Sequence, residues 1–68
     1  MSEVTAPQAA EILGVTHPTV FHAVTDGRIP ARRQGRKRQI FIDIVDLRTF
    51  AERYGYRLDE DLLKQYAS

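Results

Sequence analysis

Thr16-His17-Pro18-Thr19-Val20-Phe21-His22-Ala23-Val24-Thr25-Asp26-Gly27-Arg28-Ile29-Pro30-Ala31-Arg32-Arg33-Gln34-Gly35-Arg36-Lys37-Arg38 is the stretch on which the fold turns. It opens as a helix: Thr16 is a capping residue type, and Pro18 falls in a first turn, where a missing N–H has no partner to lose. Val20, Ala23 and Val24 recur at helical spacing as an inward stripe, leaving His17, Thr19 and His22 on other faces. Asp26-Gly27 closes the helix. Two strands follow, residues 29–34 and 38–42, about the turn Gly35-Arg36-Lys37, with Ile40 and Ile42 alternating with Gln39 and Phe41. A hairpin with cations at its tip has the form of a wing.

On the N-terminal side, Thr5-Ala6-Pro7-Gln8 reads as a helix start, with Thr5 as cap and Gln8 three residues on, as in a capping box. Ala9, Ala10, Ile12 and Leu13 supply a small apolar face, and Gly14 is the stop. Helix, three-residue turn and helix is the spacing of a helix-turn-helix, whose second helix enters a major groove. On the C-terminal side, Asp43 caps a helix from about residue 44 to 54, with Val45, Leu47, Phe50 and Ala51 as its buried positions and Gly55 as its stop. Asp59 is a candidate cap for a short fourth helix through Leu62, Leu63 and Tyr66. The expected fold is mainly α with a small β-hairpin, a winged helix-turn-helix in the order α-α-β-β-α.

The chain has 68 residues, enough for one domain and too few for a deep substrate cavity. It has no cysteine, so neither a disulfide nor a thiolate metal site is available, in keeping with a reducing cytoplasm. No apolar run approaches the roughly 20 residues of a membrane span, and Met1-Ser2-Glu3 lacks the basic and apolar regions of a signal peptide. The net charge of +1 is uninformative, but its distribution is not. Residues 1–27 carry three acids and no Lys or Arg; residues 28–42 carry six bases and no acid; residues 43–68 carry six acids and four bases. Such a localised basic stripe is the footprint of a phosphate-binding surface.

The order of these features resembles the MerR-like winged helix-turn-helix proteins, and most closely the excisionase-type DNA-binding domains of phage and mobile elements. Residues 5–16 look like that family's opening, a polar cap, a paired-alanine helix and a Gly-Val-Ser/Thr turn. Thr19-Val20-Phe21 matches its Thr-Val-aromatic segment, and Asp26-Gly27-Arg28-Ile29-Pro30-Ala31 resembles the element that leads into the wing. Arg33-x-Gly35-Arg36 is similar to the wing's Arg-x-Gly-Arg, and Ile42 to Leu47 matches the start of the closing helix. The resemblance covers about residues 5–53 of a single domain, leaving 54–68 as an extension. Two departures stand out: the interval from Gly35 to Ile42 is about two residues longer than usual, and Ala23 replaces a larger apolar residue.

Candidate contacts divide by chemistry. A helix N-terminus offers free N–H groups to a phosphate, which places Thr16 there, with His17, Thr19 and His22 as candidate base readers. Thr16 is equally a plain N-cap, and the two histidines are equally surface residues without readout; at i, i+5 they are poorly spaced for a metal. Phe21 packs against the hairpin or the first helix in one reading, and touches a sugar or a thymine methyl in the other. Arg33, Arg36, Lys37 and Arg38 are the candidate wing contacts, because each neutralised phosphate releases counterions and adds salt-dependent affinity. Arg can also enter a narrow A·T-rich minor groove. Arg28 and Arg32 are secondary candidates, since either can pair with Asp26 or with an acid of the third helix. Arg48, Arg53 and Arg57 alternate with acids as an ordinary charged face. Leu58, Leu62 and Tyr66 are expected to pack back on the first and third helices, or else to form a self-association surface.

An enzyme is disfavoured: there is no Cys, no carboxylate pair beside a cleft and no Gly-rich phosphate loop. Neither a cofactor nor a small-molecule effector is expected. The resemblance, together with the missing effector domain, implies an excisionase, or recombination directionality factor, that binds and bends attachment-site double-stranded DNA. Its partners would be an integrase and, on DNA, neighbouring copies of itself; its location would be the cytoplasm, at the bacterial nucleoid. The alternative is a small transcriptional regulator or antitoxin-like repressor using the same surface. A third reading is a protein-interaction module that keeps the fold without binding DNA.

Overall fold

The computed structural model describes residues 2–36 and 39–67. Its elements run β1 (Glu3–Thr5), α1 (Ala6–Leu13), α2 (His17–Thr25), β2 (Arg32–Gln34), β3 (Gln39–Asp43), α3 (Ile44–Tyr54) and α4 (Glu60–Ala67). The architecture is small and mixed, with four helices and one three-stranded antiparallel sheet among the described residues.

Local chemistry sets most boundaries. Thr5 and Gln8 form the expected capping box, each side chain accepting from the other's backbone N–H. Gly14 ends α1 at φ 70°, a left-handed conformation that L side chains adopt only with strain. Its N–H and that of Val15 close on the carbonyls of Glu11 and Ala10, at 3.2 and 2.9 Å. Asp43 ends β3 and caps α3 by accepting from the Val45 N–H at 2.8 Å. Asp59 accepts from the Leu62 N–H at 3.1 Å and so starts α4.

The sheet departs from the two-stranded expectation. Residues 3–5 form a strand of their own, and β3 is central, in the order β1-β3-β2. Val4 pairs with Ile42 and Arg33 with Ile40. Directly opposed residues share a sheet face, so Val4, Ile40 and Ile42 form the buried face. Glu3, Thr5, Phe41, Asp43, Arg32 and Gln34 lie on the other. Against the buried face pack Ile12 of α1, Val20 and Ala23 of α2, Ile29, Leu47 and Phe50 of α3, and Leu63 of α4.

Val45 is a correction to the sequence reading: it is 67% exposed. It lies two residues before Leu47, about 200° around the helix, and therefore on the far side from the Leu47, Phe50 and Ala51 stripe. Val24 is half-buried rather than fully inward.

The C-terminal residues pack back on α1, as one expected alternative had it, but with β1 rather than α3 as the chief second support. The Asp59 N–H donates to the Ile12 carbonyl at 2.9 Å, and the Tyr66 hydroxyl donates to the Glu11 carboxylate. This hydrogen bond raises the Tyr66 pKa above its ordinary value, because the neutral phenol is the donor. Arg48 and Glu60 form a two-pronged pair at 2.6 and 3.2 Å between α3 and α4.

Candidate nucleic-acid interface

Three residues, 14–16, separate α1 from α2, and the paired helices hold Val20 and Ala23 of α2 inward at 1% exposure each. The remaining face of α2 is set by that anchoring. His17, Pro18, Phe21, His22 and Thr25 are exposed, whereas Thr19 is half-buried. Thr16 occupies the N-cap position with extended backbone, but its side chain caps no N–H. Its hydroxyl is bonded instead to that of Thr19 at 3.0 Å, which corrects the expected side-chain cap and engages both hydroxyls with each other.

Phe21 is 44% exposed, so its ring is only partly covered. The ring tilts against that of His22 at a centroid distance of 6.3 Å. Pro18 and Thr25 are surface residues of α2 that sequence reading did not single out. The signal for them was available: at three and four residues either side of Phe21, they share its ridge.

The six bases of residues 28–42 fall into distinct settings. Arg28 pairs with Asp26 at 3.1 Å and lies over the Tyr54 ring, 5.8 Å from its centroid. Arg32, the other secondary candidate, pairs neither with Asp26 nor with an α3 acid but with Glu3 of β1, through Nε at 2.8 Å and Nη2 at 2.6 Å. It also donates to Gln34 and stacks on Phe41 at 4.9 Å. Its hydrogen bonds hold the Glu3 carboxyl below its ordinary pKa and raise the arginine's own. Arg33 and Arg36 are exposed and have no acidic partner among the described residues. Because Arg33 opposes Ile40, it lies on the helix-facing side of the sheet, the opposite side from Arg32. Lys37 and Arg38 lie outside the described residues.

A helix pair joined by a short turn, followed in the chain by a cationic hairpin, has the make-up of a helix-turn-helix unit. The match to the helix-turn-helix domain family runs over residues 3–55, and the chain belongs to that DNA-binding family. The match ends before α4. A Mycobacterium tuberculosis protein that carries an antitoxin name, VapB50, is 37% identical over 43 residues. That alignment takes in 63% of this chain and 33% of the relative, so the chain spans about one third of that protein's length. No solved structure matches.

Proposed function

We propose that the chain is a winged helix-turn-helix protein that binds specific sites on double-stranded DNA, with α2 in the major groove and the β2–β3 hairpin as its wing. The carrying observation is the split of the basic segment: Arg32 is engaged by Glu3, whereas Arg33 and Arg36 are exposed on the hairpin with no acidic partner among the described residues. Cations without an acidic partner among the described residues are what phosphate contact requires, and in this reading they supply salt-dependent affinity while α2 supplies selection among sites. Thr16, His17, Thr19 and His22 are the α2 contacts of this reading, Thr19 and Thr16 through a joined hydroxyl pair. Arg33, Arg36, Lys37 and Arg38 are its wing contacts, and Arg28 is a secondary one through an exposed pair worth little to stability. The protein acts by binding and not by catalysis.

The biological role we favour is that of a small transcriptional regulator or antitoxin-like repressor, because a curated relative 37% identical over 43 residues bears an antitoxin name. An excisionase role is the second reading, supported by the MerR-like, excisionase-type order of residues 5–53. Footprinting on the promoter of the chain's own gene and on attachment-site DNA, the latter with an integrase excision assay, separates them. Protection and repression at the promoter without stimulated excision support the regulator; stimulated excision overturns it in favour of the recombination factor.

A further inference from the structure

The recognition helix carries an unusual set of side chains. His17–Thr25 contains no Arg, Lys, Asn, Gln, Asp or Glu, the residue types that form bidentate hydrogen bonds to purine edges or accept from cytosine. Its outward ridge is Pro18, Phe21 and Thr25, all exposed. The Thr25 hydroxyl donates to the Phe21 carbonyl at 2.9 Å, so its proton is spent within the helix and its methyl group remains for an outside partner. Phe21 stands at the middle of this ridge, 44% exposed, with the His22 imidazole beside it. Covering this ring would remove apolar surface from water, a favourable term for any partner that fits it.

Within the DNA-binding reading above, on which this step rests, we infer that Phe21 recognises the C5 methyl group of a thymine in the major groove, flanked by the apolar edges of Pro18 and Thr25. The thymine methyl is the one apolar feature that a base pair displays in that groove. An apolar ridge therefore distinguishes T·A from C·G without hydrogen bonds, and the hairpin cations hold it in register. α2 is a methyl reader, and the site it selects contains thymine under Phe21.

The test uses duplexes selected by the whole chain from a random pool, with each thymine replaced in turn by deoxyuridine, which lacks only the methyl group. One position should weaken binding by about 4-fold, the worth of one buried methyl. The same replacement should have no effect on the Phe21→Ala protein, whose folding is checked by its thermal transition. Uniform tolerance of deoxyuridine by the wild-type chain overturns the methyl reading while leaving DNA binding intact. A loss at that position that persists in Phe21→Ala overturns the assignment to Phe21. Failure to select any duplex, with no salt-dependent DNA affinity, overturns this inference together with the DNA-binding reading beneath it.

Discussion

Arg32 and Arg33 are adjacent in β2, yet strand alternation sends them to opposite faces of the sheet. On the outer face Arg32 finds Glu3, a residue 29 positions away in sequence, and becomes a strut between hairpin and β1. No composition count reveals that pairing, because it depends on β1 lying beside β3. The Glu3 carboxyl, held below its ordinary pKa by Arg32, binds its proton less readily in the folded chain than in the unfolded one. Its contribution is therefore present at neutral pH and is lost as pH falls through the carboxylate range, below about pH 4. The Glu60 carboxyl behaves likewise through Arg48. Thermal melting between pH 7 and pH 3 should show the wild-type transition falling with acid, and Glu3→Gln should fall by less. Gly14 offers a second residue-scale prediction. A Cβ there meets no atom within 4 Å, so the cost of Gly14→Ala lies in its positive φ alone. Denaturant unfolding should register at least about 1 kcal/mol of lost stability.

At the scale of elements, caps and stops were the legible part of the sequence. Thr5, Gly14, Asp43 and Gly55 act within one helical turn of themselves, so residue type and spacing were sufficient to find them. β1 was illegible for the opposite reason. Three residues give too short an alternation to read, and their strand exists through pairing with β3, nearly forty positions on. Val45 misled because it is apolar and close to Leu47, although helical geometry puts the two on different sides. The same limit applied to the interface: the helical period could have placed Pro18 and Thr25 beside Phe21, but the exposure of Phe21 is a property of the packed chain. α4, beyond the family match, is part of the core through Leu63, which is 3% exposed. Leu63→Ala should cost about 2–5 kcal/mol in denaturant unfolding, whereas exposed Lys64→Ala should leave the midpoint nearly unchanged.

Over the whole molecule, the basic segment is continuous in sequence but divided in space, with Arg32 and Arg33 on opposite sides of the sheet. Arg28, Arg32, Arg33 and Arg36 lie on the hairpin and its approach without an acid between them in sequence, while α3 and α4 mix Asp46, Glu52, Glu60 and Asp61 with Arg48, Arg53 and Lys64. The longest dimension is 31 Å, slightly less than the roughly 34 Å of one turn of B-form DNA, so one copy covers no more than about a turn. A longer protected stretch would mean several copies side by side. The central claim is that the unpaired hairpin cations hold the chain on duplex DNA, and the salt dependence of binding tests it most directly. For the wild-type chain, log affinity should fall linearly with log salt concentration, and Arg33→Ala combined with Arg36→Ala should make that slope shallower by about 1.8, the release belonging to two phosphates. An unchanged affinity and slope in the double variant would contradict it.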